Sequence, residues 1–441
     1  MADNRVCGPH QDIVCANYEF NNSLQLDTWS EIVTAAGTTT AIATATANDD
    51  GYVAMDVPVN GDRIVRQSKE YFSSKSYKYN TALFTAVLNI NTTAAAAGTS
   101  VISRIGVFDD LNDKTESTDL GFFFEYSVDD QANVPYNDTD GNPTGLTYPL
   151  KIGIRYNSTA NALGDILTTQ QSFNVNDLNR HTHIQINDWS QLYTFEIKYN
   201  AIGHVEWAIY LDGERILLHK EQDITGQLHT LPQFILPLRF EISNANTDAV
   251  DDGITLTPTT DEMRKFAASM LCEMGSITPS TPGVNVPSNN VKNLKALSSL
   301  LYTIDSTSYE PVFSIRLNAA FVRNPIRLFE VLYLVHKKGP FVYAIIRNGA
   351  PTTPAWVVGQ TSRLDYDVSS DAITTTTDCI FEQYVDADCH GGVQYQPSRI
   401  NVSPPPIASD ILGTPDVYTI VVRKMSHLKA TAHFGFRYVE G

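Results

Sequence analysis

Chemistry in a folded chain needs acids, imidazoles, thiols or hydroxyls at spacings that a strand or helix can bring together. Glu125-Tyr126-Ser127-Val128-Asp129-Asp130 comes nearest to a catalytic carboxylate pair. A retaining glycosidase holds its two carboxyl groups about 5–5.5 Å apart, so one strand must carry them at adjacent same-face positions, as in Glu-x-Asp-x-Glu. Glu125 and Asp129 share a face but lie roughly 13 Å apart by strand rise, too far for that work. His181 and His183 would set two imidazoles on one strand face, yet no Cys or acid follows at ligand spacing, and exposed polar residues near a loop are the plainer reading. Cys389-His390 with Cys379 would form a zinc corner only with partners from elsewhere. Asn137-Asp138-Thr139-Asp140-Gly141-Asn142 looks like a Ca²⁺ loop, but Tyr136 and Thr147 stand where the first and last EF-hand ligands belong, and an Asx-rich turn suffices. Asp109-Asp110 with Asn112-Asp113 is a second oxygen-rich segment open to Ca²⁺. Gly-x-Ser-x-Gly elbows, His-Glu-x-x-His helices and phosphate-binding glycine loops do not occur. The sequence thus assigns no catalytic, cofactor-binding or metal residue and predicts a protein that is not an enzyme.

Trp29, Trp189, Trp207 and Trp356 could stack on sugars, although Trp207 alternates with Val205 and Ile209 as a core residue would. Lys337-Lys338-Gly339-Pro340 reads as a solvated hairpin tip. Asn-x-Ser/Thr sequons start at Asn21, Asn91, Asn137, Asn157 and Asn401, as chance allows in an Asn- and Thr-rich chain. The five cysteines (Cys7, Cys15, Cys272, Cys379, Cys389) are odd in number and scattered, which points to reduced thiols rather than a disulfide scaffold.

The elements that must position these groups are almost entirely β. With 441 residues, 42% hydrophobic and 18% charged, the chain is long enough for two or three domains with large cores. Its net charge of −18 repels phosphate backbones, so nucleic acid and anionic membrane surfaces are not expected partners. No apolar run reaches the ~18 residues of a membrane span, and Met1-Ala2-Asp3-Asn4-Arg5 lacks a signal-peptide pattern, so a soluble, cytosolically made product is expected.

Alternating β-branched and aromatic runs predict strands at Tyr52–Val57, Ala82–Ile90, Val101–Phe108, Gly121–Tyr126, Leu150–Tyr156, Tyr193–Asn200, His204–Leu211, Glu214–Lys220 and Leu238–Ile242. Asp212-Gly213 supplies the two positive-φ positions of a tight I′ hairpin. Met263, Phe266, Ala267, Met270 and Leu271 fit a helical stripe, while Phe266, Ala268, Met270, Cys272 and Met274 fit a strand, and the all-β surroundings favour the strand. Ser276–Asn290, with three prolines, reads as an extended linker. Beyond it, strands are expected at Val312–Leu317, Phe329–Val335, Phe341–Arg347, Trp356–Val358, Leu364–Val368, Cys379–Val385, Val417–Lys424 and Ala432–Val439, with a polyproline bend at Ser403–Pro406. The expected organisation is an N-terminal arm (1–16), a jelly-roll β-sandwich (17–275), a linker (276–290) and a smaller β-sandwich (291–441). Thr34–Ala47, small and β-prone, suits an edge strand or a plain loop.

Arg104-Ile105-Gly106-Val107-Phe108-Asp109-Asp110, followed by Gly121-Phe122-Phe123-Phe124-Glu125, resembles the RIGYFDD…GVFFE signature of a family of structural proteins of tailed phages and large DNA viruses. Leu150–Arg155, Gln185–Trp189, the Asp-Gly hairpin and Leu236–Asn244 follow in the family's order. Arg66-Gln67-Ser68-Lys69-Glu70-Tyr71 and Tyr79 resemble its opening strand, and Ile346–Gly349, Trp356 and Arg363–Val368 its distal sandwich. Departures fall at Ala201–His204 and Asn348–Ala350. A jelly roll with a Trp and Asp-Gly hairpin also resembles the concanavalin-like lectins and glucan hydrolases. The viral resemblance implies an all-β, non-enzymatic minor capsid or capsid-surface component, carried in the virion after assembly in the host cytoplasm. Its expected partners are the major capsid protein and neighbouring minor capsid subunits, with homo-oligomers and a host glycan as further options. The alternative is a glycan- or receptor-binding module of a spike or fibre.

Overall fold

The computed structural model describes residues 12–20, 24–26, 28–34, 44–48, 51–57, 61–73, 79–88, 101–109, 118–127, 150–158, 165–178, 189, 191–200, 203–222, 235–244, 262–273, 294–299, 301–321, 326–337, 339–349, 351–358, 363–368, 372–385, 393–395 and 407–439. The chain divides into two compact units, Met1–Ile277 and Thr278–Gly441. The first carries β1 (Asp12–Glu19), β2 (Trp29–Thr34), β3 (Thr44–Asn48), β4 (Tyr52–Asp56), β5 (Arg63–Ser73), β6 (Tyr79–Val87), β7 (Val101–Phe108) and β8 (Thr118–Ser127). There follow β9 (Leu150–Ser158), β10 (Ile166–Thr169), β11 (Tyr193–Asn200), β12 (Val205–Leu211), β13 (Glu214–Glu221), β14 (Ile235–Asn244) and β15 (Glu262–Glu273). Among the described residues the helical content is two short 3-10 turns, Gln170–Ser172 and Ala319–Phe321.

The first unit is a jelly-roll sandwich of two antiparallel sheets. One runs β13-β12-β11-β6-β15-β4-β3, with β1 also on β15; the other runs β10-β9-β8-β7-β14-β5-β2. Successive strands β4, β5, β6 and β7 alternate between the sheets, as do β13, β14 and β15, so the layers are interlocked along the chain. Between them lies one apolar core, in which Phe84 meets Phe240 at 5.5 Å, Phe122 meets Trp207 at 6.2 Å and Phe124 meets Phe195 at 5.1 Å. The period-two alternation of these strands is what places one aromatic set inside.

The segment with two competing patterns is a strand: β15 pairs with β6 over Arg264–Cys272. Its other edge is shared, with β4 taking Glu262–Lys265 and β1 taking Ala267–Glu273. This corrects the expected arm, because the strand begins at Asp12 and Asp12–Ala16 belong to the sheet. The physical reason is that β4 is too short to pair the whole of β15, and the remaining backbone groups need partners. Thr44–Asn48 is an edge strand, and its predecessors 35–43 lie outside the described residues. The hairpin turn has φ of 50° at Asp212 and 84° at Gly213, with Leu211 opposite Glu214, as a I′ turn requires.

The second unit carries β16 (Leu294–Ser298), β17 (Tyr302–Ile304), β18 (Glu310–Leu317), β19 (Arg327–Lys337), β20 (Phe341–Arg347), β21 (Leu364–Asp367), β22 (Cys379–Val385), β23 (Val393–Tyr395), β24 (Val417–Lys424) and β25 (Ala430–Val439). They form two five-stranded sheets, β16-β25-β19-β23 with β17 on β25, and β21-β18-β24-β20-β22. Phe313 packs on Phe436 and Phe341 on Phe434 across the two layers, making a second, separate core. Trp356–Val358 is not a strand: Val357 makes a single bridge to Tyr366. The linker 276–290 and Ser403–Pro406 lie outside the described residues. No helix among the described residues is long and apolar enough to cross a membrane.

Candidate functional site

The strands of the seven-stranded sheet carry polar residues on the face turned away from the core, and cross-strand register gathers them into rows. Lys151 pairs with Glu125, Glu125 with Arg104, and Arg104 with Glu241, so charge alternates in sign across four strands. Two residues along, Gly153, Phe123, Gly106, Arg239 and Gln67 form the next row.

The charged row is closed by ion pairs. Arg104 Nε donates to Glu125 Oε2 at 2.8 Å, and Lys151 Nζ lies 3.8 Å from Glu125 Oε1 while donating to Ser127 Oγ at 2.7 Å. Arg239 Nη2 donates to Glu241 Oε2 at 2.8 Å and Arg63 Nε to Glu241 Oε1 at 3.1 Å. Arg155 grips Asp165 through both Nε (2.9 Å) and Nη2 (3.0 Å), and Arg104 Nη2 reaches the same carboxylate at 3.5 Å. Arg239 Nη1 also donates to Gln67 Oε1 at 3.1 Å, and Gln67 Nε2 to the Tyr71 hydroxyl at 2.8 Å. Tyr71 in turn faces Asp109 Oδ2 at 3.5 Å.

Below these charges lies an aromatic floor. The Phe108 and Phe123 rings are 5.3 Å apart; Arg104 and Arg155 sit 5.2 and 5.6 Å from the Phe123 centroid, Arg155 and Arg239 5.0 and 5.1 Å from that of Phe108. Each guanidinium therefore meets both a carboxylate and a ring face, the two groups that best stabilise it out of water. Glycine makes the floor flat: a Cβ on Gly153 would stand 2.1 Å from the Phe123 ring, so that ring lies directly over the glycine backbone.

The plate is buried: Arg239 is 0% exposed, Glu125 2% and Glu241 4%. Burial by itself raises the Glu241 carboxyl, but Arg239, Arg63, Arg155 and Arg104 together hold it well below the usual carboxylate range. Glu241 is therefore an ionised acceptor. Glu125 and Glu241 flank Arg104 at a separation of two strand spacings, roughly 10 Å.

The residues singled out in the sequence fall as follows. Glu125 belongs to the plate, and Asp129 lies outside the described residues. Asp109 is buried at its edge; Asp110, Asn112 and Asp113 are outside the described residues, as are Asn137–Asn142, His181, His183, Cys389 and His390. Cys379 is an exposed free thiol on β22. Among the described residues no group of three or more His, Cys, Asp or Glu is placed to hold a metal ion. Trp29, Trp189 and Trp207 are core residues, whereas Trp356 is half-buried under the Arg316 guanidinium at 4.3 Å. Asp165 and Arg63 enter the plate with no sequence signal, and Gln67, noted only within the run Arg66–Tyr71, enters it with no role assigned, since each reaches partners set by strand register.

No protein-family model matches the chain, and no curated protein matches its sequence. Similar solved structures include the basic winged bean lectin crystallised with Tn-antigen, at 9% identity over 60% of this chain and 100% of that chain, with a TM-score of 0.35. Another is the catalytic domain of an endo-1,3-β-glucanase (laminarinase) from Thermotoga petrophila, at 12% identity over 60% and 99%, TM-score 0.38. Peanut lectin matches at 10% identity over 59% and 97%, TM-score 0.33. The likeness is one of fold alone.

Proposed function

We propose that the chain is a non-enzymatic structural component of a virus particle, a minor capsid or capsid-surface protein that acts through assembly contacts. One observation supports this most: Arg104, Phe108, Phe123 and Glu125, alternate residues of the RIG-x-FDD…G-x-FFE pattern, belong to an ion-paired plate over an aromatic floor. Glu241 is held ionised and so has no proton to give as a general acid. Glu125 is tied to Arg104, Lys151 and Ser127. Such a plate stiffens a sheet and leaves its rims free to meet neighbours. The proposed partners are the major capsid protein and adjacent minor capsid subunits, and the proposed location is the virion. Quantitative mass spectrometry of purified particles should find the protein in stoichiometric copies; particles lacking it end the proposal.

A glycan- or receptor-binding module of a spike or fibre is the second reading. It draws on Trp356, an accessible indole held in place by Arg316, with Val357 and Val358 exposed beside it. On this reading a glycan array gives hits that Trp356→Ala weakens at least ten-fold, within the range of one lost aromatic contact. An array without hits, with and without Ca²⁺, removes it.

A further inference from the structure

The edge strand β13 is covered on its outer side by the segment 170–178. β13 carries a bulge: Trp207 pairs with His219 and Ala208 with Leu217, leaving Leu218 extra. The bulge turns the Leu218 carbonyl outward, where it accepts both the Val175 N–H at 3.1 Å and the Asn176 N–H at 3.0 Å. Asn174 clasps Lys220, its Nδ2 donating to the Lys220 oxygen at 2.8 Å and its Oδ1 accepting the Lys220 N–H at 3.0 Å. Leu178 ends the segment, fully buried at φ 66°, a left-handed backbone that leucine seldom adopts.

His219 joins the segment to the strand. Its ring is buried between Trp207 and Phe173, with centroids 5.9 and 6.0 Å away. The Asn174 backbone N–H donates to Nδ1 at 3.1 Å, so that nitrogen carries no proton. Nε2 must then hold the proton and donate to Glu221 Oε1 at 2.9 Å. A second proton can be accepted only at Nδ1, where it would confront the Asn174 N–H, donor against donor. Around the ring, Glu221 is the carboxylate bonded to Nε2, and β12 and the segment present the Trp207 and Phe173 rings. Asp177, the segment's own acid, is buried, and its backbone oxygen accepts from Gln170. Lys220, the neighbouring cation on β13, is exposed.

We propose that segment 170–178 is an acid-released strap, latched to β13 by the neutral His219 ring through its free Nδ1. The latch is closed while Nδ1 is free to accept and opens when that nitrogen takes a proton, which costs the strap its Asn174–His219 bond to β13. Histidine is the side chain whose ordinary titration falls in the mildly acidic range.

Hydrogen exchange on the full chain, corrected for the intrinsic pH dependence of exchange, tests this. Between pH 7.5 and pH 5.0 the Asn174, Val175 and Asn176 amides should lose protection about two- to ten-fold, the weight of one ordinary hydrogen bond. Amides of β11 should keep theirs. His219→Asn, whose carbonyl can accept the Asn174 N–H without titrating, should hold the strap equally at both values, and Glu221→Gln should move the transition to lower pH. Unchanged wild-type protection at pH 5.0 overturns the proposal. So does a loss shared by β11, or a His219→Asn chain that loses protection in parallel with wild type.

Discussion

Glu241 shows how a buried acid can be wholly structural. It answers to two guanidinium groups, one of them 178 positions away, and neutralising it leaves the fully buried Arg239 and the half-buried Arg63 without their counter-charge. Removing one partner of a buried pair costs about 3–5 kcal/mol, so Glu241→Gln should lower the urea-unfolding free energy by that order. The acid dependence follows from the sign of the shift. The folded carboxyl titrates well below its unfolded value, so its contribution is complete above the ordinary carboxylate range and is lost as pH falls below it. Stability measured from pH 5 downward should decline steeply in the wild type and less steeply in Glu241→Gln. Gly153→Ala tests the floor: its Cβ collides with the Phe123 ring, at a cost of about 1–3 kcal/mol, and Phe123→Leu in the same chain should recover part of it.

At the scale of elements, local chemistry decided the turns and competition for backbone partners decided the edges. The Asp212-Gly213 hairpin was legible because two positive-φ residues between β-rich arms have few alternatives. Gly213 has open space around its missing side chain, so Gly213→Ala should cost only the backbone term, about 1 kcal/mol, in thermal unfolding. β15 was ambiguous by periodicity, and its pairing with β6, β4 and β1 removes the ambiguity, since a helix there would strand three neighbours. β1 and β10 had weak signals for a related reason: an edge strand owes its pairing to the strand it borders. The residues of the plate were visible as a string but not as a network, for Arg104, Glu125 and Glu241 become neighbours only once β7 lies between β8 and β14.

On the scale of the whole molecule, two separate cores predict two unfolding transitions. Trp29, Trp189 and Trp207 belong to the first unit and Trp356 to the second, so a Trp356→Phe chain reports the first unit alone by fluorescence. Glu241→Gln should shift that transition and leave the second unmoved; a common shift would mean that the units unfold as one. By itself the sequence determined the β class, the apolar face of most strands and the tight hairpin, because period-two alternation and turn geometry are local properties. Only the tertiary structure decided which acid meets which arginine, which glycine lies under which ring and where β1 docks. Those depend on strand order and register, and hydrogen-bonded edges pair equally well over any sequence separation until the packed core selects one arrangement.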